Sequence, residues 1–144
     1  MSRPRRPTAR PETPHASGRA GELLAARHLL GQGWRVVAHN LRTRQAEIDL
    51  LVRRGRSYAA VEVKARRDHP APERLVGSHC LDRLERALRE LAPSLRPPPR
   101  ELTIAVVAIR WMNDGETEVR YFPAVRYVLA TGVSRRRSGD GRFS

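Results

Sequence analysis

Two short segments of alternating residues, joined by a glycine turn, constrain the fold of this chain more than any other feature. Residues 47–52 read Glu-Ile-Asp-Leu-Leu-Val, and residues 58–64 read Tyr-Ala-Ala-Val-Glu-Val-Lys. A period of two predicts β-strands with one buried face. Gly55-Arg56 between them predicts a two-residue hairpin turn of type II′, because that turn takes glycine at its first central position. The resulting register pairs Arg54 with Ser57.

This register brings four charged side chains to one face of the hairpin. Asp49 is expected directly opposite Glu62, and Glu47 directly opposite Lys64, which is the only lysine of the chain. Side chains two apart on a strand share a face, and directly opposed Cβ atoms lie roughly 4.5–5.5 Å apart. The other face is expected to be an apolar core surface made by Ile48, Leu50, Val52, Ala59, Val61 and Val63.

The opposed carboxylates of Asp49 and Glu62 indicate a divalent cation. Their repulsion destabilises a sheet unless a cation lies between them, and oxygen ligands suit Mg²⁺ or Mn²⁺. Glu22, on a partly apolar stripe of a predicted helix, is expected to point towards the sheet and to reach the metal directly or through a water. Lys64 suits such a site because the pKa of a buried ammonium shifts readily, whereas a guanidinium stays charged.

Each of these residues also has a simpler explanation. Glu47 and Lys64 can form an ordinary cross-strand ion pair, which contributes little to stability when exposed. Glu22 can be a surface glutamate, and a single lysine can be an accident of a strong arginine bias. The joint arrangement of spacing, register and helix acid is what favours a functional site.

The remaining pattern predicts an α/β fold with a mixed central sheet flanked by helices. The predicted order is α-β-β-β-α-β, with a further edge strand and a short terminal helix. A nearly continuous apolar run predicts a strand buried on both faces. The segments are a helix at 18–30, capped by Ser17, with an apolar face of Ala20, Leu23, Leu24, Ala26 and Leu30; strands at 34–41, 47–52 and 58–64; a helix at 80–91; strands at 102–109 and 118–122; and a helix at 125–130.

The length and the charge of the chain indicate one basic domain that binds nucleic acid. The 144 residues fit a single domain at 18–131, with a disordered Pro- and Arg-rich arm at 1–17 and a disordered basic tail at 132–144. The net charge of +13 favours a nucleic-acid partner first and an anionic membrane surface second. One cysteine and no long apolar run predict a cytoplasmic protein without a membrane partner. Scattered histidines and the single cysteine argue against a zinc site. Whether the chain forms a homodimer is left open.

Four short motifs resemble one bacterial family. Gly21-Glu22, Asn40-x-Arg42, Glu47-Ile48-Asp49-Leu50 and Val61-Glu62-Val63-Lys64-x-Arg66 look like the YraN-type family. That family is placed in the restriction-endonuclease-like PD-(D/E)xK superfamily and is similar to archaeal Holliday junction resolvases. The resemblance implies a restriction-endonuclease-like fold. It further implies that Asp49, Glu62 and the Val63 carbonyl bind the metal, that Lys64 positions or deprotonates the attacking water, and that Glu22 is the helix acid.

These expectations lead to a Mg²⁺- or Mn²⁺-dependent endonuclease that hydrolyses DNA phosphodiesters, including those of branched or repair intermediates. The arginines expected to hold adjacent phosphates are Arg42, Arg44, Arg66, Arg67, Arg83 and Arg86. Three departures from the family pattern, Ala46, Cys80 and Ala105, bear on activity more than on fold.

Two alternatives stay open at this point. The first is a catalytically weak or inactive nucleic-acid-binding module of the same fold, for which the changes at Cys80 and Ala105 argue. The second is an RNA- or ribosome-associated basic protein, indicated mainly by the charged ends of the chain. Substrate structure and sequence specificity are not readable from the sequence.

Overall fold

The computed structural model describes residues 14–66 and 75–129. Within these ranges the predicted order α-β-β-β-α-β, followed by an edge strand, is confirmed. A short 3₁₀ turn, Ala92–Ser94, follows the second helix. The elements are α1 (Pro14–Gly31), β1 (Arg35–Arg42), β2 (Glu47–Arg54), β3 (Ser57–Arg66), α2 (Ser78–Leu91), β4 (Glu101–Trp111) and β5 (Thr117–Val128).

The five strands form one mixed sheet in the order β1-β2-β3-β4-β5. All neighbours are antiparallel except β3 and β4, which are parallel. The predicted hairpin register is confirmed from Arg54↔Ser57 to Leu50↔Val61. Gly55 has a φ of 63°, in the left-handed region that glycine enters without steric cost. The turn therefore fixes the register that the sequence predicted.

A helix covers each face of the sheet. α1 packs on one face, where Ala25 and Leu29 bury Leu50 and Val61. α2 packs on the other through Leu84 and Leu88, which contact Leu51, Ala60 and Ile104. β4 is buried continuously from Leu102 to Ile109, as its apolar run predicts. The expectation of one charged and one apolar hairpin face is wrong, because the hairpin is apolar on both sides except at its open end.

The buried face of α1 differs from the predicted stripe. Leu23 and Leu30 are 56% and 57% exposed, whereas Gly21, Ala25 and Leu29 are buried. Because Gly21 and Ala25 on the inner face are small, the helix backbone lies close to the sheet. This close contact, and not the spacing of the leucines, decides which face of the helix is buried. The helix also begins at Pro14, so Ser17 lies inside it and does not cap it.

The prediction of a terminal helix that starts at Val125 is wrong for residues 125–128, which belong to a strand. β5 continues to Val128 and pairs with β4 along its length, with a register shift opposite Ile104–Val106. Ala124 has a φ of 50° at this irregularity. A bulge of this kind changes which residues face inward, so Val125 and Val128 acquire a spacing that resembles a helical turn.

The described ranges exclude most of the predicted arm, residues 67–74 after β3, and the predicted tail. Arg67, one of the predicted phosphate contacts, lies outside the described residues. In the part of the chain that is described, no helix is long and apolar enough to cross a membrane.

Candidate active site

The candidate site lies where β2 and β3 separate. Their pairing ends at Leu50↔Val61. One residue further, Oδ2 of Asp49 accepts a hydrogen bond from the backbone N–H of Val63 at 2.8 Å. The carboxylate thus takes the place of a strand carbonyl, so the predicted direct pairing of Asp49 with Glu62 is replaced by a hydrogen bond to the residue after Glu62. This contact fixes the Asp49 side chain between the two strands.

Lys64 pairs with Glu62 and not with the predicted partner Glu47. Nζ of Lys64 lies 3.1 Å from Oε2 of Glu62, and the two side chains are only 26% and 12% exposed. Glu47 is exposed at the start of β2, opposite Arg42 of β1. The prediction fails because β2 has already turned away from β3 at Glu47. The half-buried ion pair holds the ammonium group beside the acids.

The side chains of Glu62 and Lys64 point to the α2 side of the sheet. Their neighbours Val61 and Val63 pack on the α1 side, and successive side chains of a strand alternate. Cys80 of α2 faces them: burial raises the pKa of its thiol, and the negative charge of Glu62 adds to the rise. The site is therefore bounded by α2 on that side.

Asp49 has a strongly perturbed acidity. The pKa of its carboxyl is raised to about 7, first by burial and then by the negative charges of Glu62 and Glu22, while the Val63 N–H and the Lys64 ammonium act in the opposite direction. Three acids are thus electrostatically coupled in a half-buried place. A strongly shifted carboxyl beside a specific charged partner is a frequent property of functional sites.

Glu22 approaches from the opposite face of the sheet. α1 lies close to β3 at Gly21: a Cβ there would be in ordinary contact, 3.6 Å from Cγ1 of Val63 and 3.7 Å from Cβ of Ala65, with no room for a larger side chain. α1 packs on the face opposite the side chains of Glu62 and Lys64, together with Val61 and Val63. Glu22 is half-buried and acts on the acidity of Asp49 from there.

Gly21 sets the distance between α1 and β3. We expect Gly21→Ala to be tolerated or to stabilise the protein by up to about 1 kcal/mol, because the added methyl meets ordinary contact distances and alanine favours a helix. Gly21→Leu has no such space and is expected to lower the melting temperature clearly. Thermal unfolding of both variants checks this, and equal melting temperatures would show that α1 does not pack closely here.

The donor set fits a hard divalent cation with few protein ligands. Asp49 uses one carboxylate oxygen for the Val63 N–H, which leaves the other for a ligand. Among residues 14–66 and 75–129, no three His, Cys, Asp or Glu side chains are grouped closely enough to form a metal cage. Mg²⁺ keeps several waters and commonly takes one or two carboxylates. A cation between Asp49 and Glu62 would also offset the repulsion that raises the pKa of Asp49.

The predicted phosphate-binding arginines fall into two groups around the acids. Arg42, Arg44, Arg83 and Arg86 lie on the side of α2 and the β1–β2 loop, where Arg86 donates to Oε1 of Gln45 at 3.3 Å and Arg44 is 3.7 Å from Glu90. Arg66 forms the second group, at the carboxyl end of β3, and is exposed. The arginines therefore flank the acids and do not contact them in the described structure.

Arg110 is a neighbour of the site that the sequence reading did not single out. It lies beside Arg66 in the parallel pairing of β3 and β4 and is 3.7 Å from Glu118. A surface cavity of about 500 Å³, lined by Arg110–Asp114, opens at the same end of the sheet. The signal available in the sequence was a basic residue that directly follows the buried apolar run of β4.

Two of the three departures from the family pattern can be located relative to the acids. Ala105 is buried in the apolar cluster under α1, next to Val61. Cys80 is half-buried and faces Glu62. The third, Ala46, contacts the cluster under α2 and accepts a hydrogen bond from Oγ1 of Thr43. None of them replaces Asp49, Glu62 or Lys64.

Comparison with known proteins identifies the family. Residues 21–110 match the uncharacterised protein family UPF0102. The chain belongs to this family. A UPF0102 relative from Rhizorhabdus wittichii is 38% identical over 93 residues, which is 65% of this chain and 79% of the relative. Another, from Mesorhizobium japonicum, is 38% identical over 110 residues, 74% of this chain and 88% of the relative. The match spans α1 through β4 and includes every acid of the site.

Among solved structures, a comparison matches the chain to SfsA of Pyrococcus furiosus in complex with Ca²⁺. The TM-score is 0.40 with 16% identity, covering 81% of this chain and 64% of SfsA. This similarity is too low to assign a function to the UPF0102 chain.

Proposed function

We propose that this protein is a metal-dependent nuclease with a restriction-endonuclease-like fold, which hydrolyses phosphodiester bonds of DNA. The observation that carries the proposal is the group formed by Asp49, Glu62 and Lys64, in which an acid with a pKa near 7 lies beside a second acid that is ion-paired with the only lysine. Branched DNA and repair intermediates are the first substrates to test.

Asp49 and Glu62 are the proposed metal ligands, assisted by the Val63 carbonyl, with Glu22 as the acid that acts from the helix side. When bound, Mg²⁺ supplies a Lewis acid for a phosphate oxygen and lowers the pKa of a coordinated water. The hydrogen bond from Val63 to Asp49 orients the carboxylate before any substrate arrives. Preorganised ligands of this kind avoid the free-energy cost of rearrangement during reaction.

Lys64 is the proposed residue that acts on the attacking water. Its ammonium is held by Glu62 at 3.1 Å, at the border between the buried acids and the open end of the sheet. From there it can orient the water and neutralise charge that develops on the phosphate in the transition state. Arg66 and Arg83 lie outside this group and are the proposed contacts for neighbouring phosphates.

The test is a cleavage assay on branched, single-stranded and duplex DNA and on RNA, with Mg²⁺, with Mn²⁺ and with EDTA. We expect cleavage only with metal, and we expect Asp49→Asn and Glu62→Gln to lower the rate at least about 100-fold. Asp82→Asn is the matched control, because Asp82 is an exposed acid that pairs with Arg126 on the surface of α2.

Calorimetry with Mn²⁺ separates the nuclease from the binding module. Heat of metal binding that disappears in Asp49→Asn supports the proposed site. DNA binding without metal uptake and without cleavage would instead assign the chain to the inactive binding module.

A further inference from the structure

Six arginines lie together at the end of the sheet opposite the candidate site. Arg53, Arg54 and Arg56 surround the β2–β3 turn, and Arg35 is directly opposite Arg53 in the β1–β2 pairing. Arg96 and Arg100 belong to the segment before β4, which is tied to the turn because the backbone N–H of Arg100 donates to the carbonyl of Arg56 at 2.8 Å. We call this surface the basic pole: Arg35, Arg53, Arg54, Arg56, Arg96 and Arg100.

The basic pole is not neutralised within the described part of the chain. None of its six guanidinium groups is within ion-pair distance of a described carboxylate, whereas Arg44, Arg89, Arg110 and Arg126 all have such partners. Glu101, the acid next to Arg100 in sequence, accepts a hydrogen bond from Oγ of Ser57 at 3.2 Å. The positive charge of this surface is therefore directed to solvent.

Several of these guanidinium groups are held in place by backbone carbonyls. Arg53 donates to Gly55 at 3.0 Å, Arg54 to Gln32 at 2.9 Å and Arg56 to Pro98 at 2.6 Å. Arg54 also lies over the ring of Trp34, with its central carbon 4.3 Å from the ring centroid. Each group still has donors to spare, because a guanidinium carries five N–H bonds. Groups that are already fixed lose little conformational entropy when they bind an anion.

The arrangement has a cost in the free protein. Arg35 and Arg53 face each other directly across two strands, and like charges in this position destabilise a sheet. An external anion would remove this repulsion. Since arginine binds phosphate oxygens through two parallel hydrogen bonds, phosphate groups suit this surface.

We propose that the basic pole is a second nucleic-acid contact, which binds the phosphate backbone of a duplex away from the candidate active site. Lys64 is seven positions after Ser57 on β3, a distance of roughly 23 Å at about 3.3 Å per residue. The two surfaces therefore contact different phosphates. The proposal does not depend on hydrolysis, because the pole contains none of the residues of the candidate site.

Nucleic acid fits this surface better than an anionic membrane does. Proteins that lie on membranes commonly add exposed apolar side chains that enter the lipid boundary. The exposed large apolar residues near the pole come from separate elements and not from one amphipathic helix: Leu30 lies at the end of α1, Val37 lies on β1, and Tyr127 and Leu129 lie at the end of β5.

The test compares two variants of the full chain with equal loss of charge. Arg35→Gln with Arg100→Gln removes two arginines of the pole, and Arg27→Gln with Arg89→Gln removes two exposed arginines elsewhere, of which Arg89 is already paired with Glu85. Binding to a labelled duplex is measured by fluorescence anisotropy in EDTA at several salt concentrations, so that metal and cleavage play no part.

We expect the pole variant to lower the slope of log affinity against log salt by about 2, because each lost phosphate contact removes about 0.9. The control variant should keep the slope. Equal slopes in wild type and pole variant overturn the proposal, as does a pole variant that loses binding to phosphatidylserine vesicles while keeping its DNA slope. Thermal unfolding checks folding, and Arg100→Gln alone, with half the effect, replaces the double variant if that one unfolds.

This result is independent of the proposed nuclease. If wild type cleaves no substrate but the pole variant still loses duplex affinity, the nuclease proposal fails and the second contact stands. If wild type cleaves with Mg²⁺ and the salt slopes are equal, the reverse holds.

Discussion

Lys64→Met is expected to reduce metal-dependent cleavage by about 10²–10⁴-fold, the range that a positioned acid–base or charge-stabilising group contributes. Methionine keeps the length of the side chain and removes the ammonium. Lys64→Arg is expected to lose a similar factor, because a guanidinium does not give up a proton and its planar group differs in shape from the ammonium paired with Glu62. Initial rates on the best substrate give both values.

The matched control for Lys64 is Arg27→Met. It removes the same charge from an exposed position on α1 and is expected to retain the wild-type rate. If Lys64→Met cleaves as fast as wild type while Asp49→Asn does not, Lys64 contributes only its ion pair with Glu62. Calorimetric metal binding in Lys64→Met should persist, since Lys64 is not a proposed ligand.

Asp49→Asn is expected to make the metal-free protein more stable at neutral and alkaline pH. The folded state raises the pKa of Asp49 from 3.8 to about 7. Below a pH of 3.8 the carboxyl is protonated in both the folded and the unfolded state, so it does not change the free energy of unfolding. As pH rises towards 7, the unfolded chain releases a proton that the folded protein retains, so stability falls by about 1.4 kcal/mol per pH unit for a fully expressed shift.

The comparison of variant with wild type isolates this contribution. Asparagine keeps an oxygen for the N–H of Val63 and carries no charge. Because Asp49 is only half-buried, we expect a gain on the order of 2 kcal/mol at about pH 8, and little difference at about pH 4. Urea unfolding in EDTA at both pH values measures it. An advantage that is the same at both pH values would contradict the raised pKa.

Much of the sheet was predictable because its signals are local. Gly55 alone sets the turn, and the turn sets the pairing of Leu50 with Val61. The unbroken apolar run of β4 correctly predicts a strand covered on both faces. The separation of β2 from β3 was not predictable, because it depends on the Asp49 carboxylate replacing a backbone acceptor for Val63. Because the strands separate there, Lys64 pairs with Glu62 and not with the predicted partner Glu47.

The errors outside the hairpin have a common origin in long-range packing. The leucines at positions 23 and 30 suggest an apolar helix face, but the face that packs on the sheet holds Gly21, Ala25 and Leu29, of which the two small residues allow a close approach. The end of β5 resembled a helix because a bulge at Ala124 changes the inward-facing positions. Neither effect is visible until the partner strand is known.

The ion pair of Lys64 with Glu62 has a practical consequence for spectroscopy. Because the chain has a single lysine, reductive methylation with ¹³C-formaldehyde places a label on one side-chain amine, in addition to the α-amino group. The two resonances are assigned with Lys64→Met, which removes the lysine signal and keeps that of the α-amino group. The chemical shift of the lysine resonance would then report the binding of metal or substrate at the acids, because the many arginines of the protein carry no label.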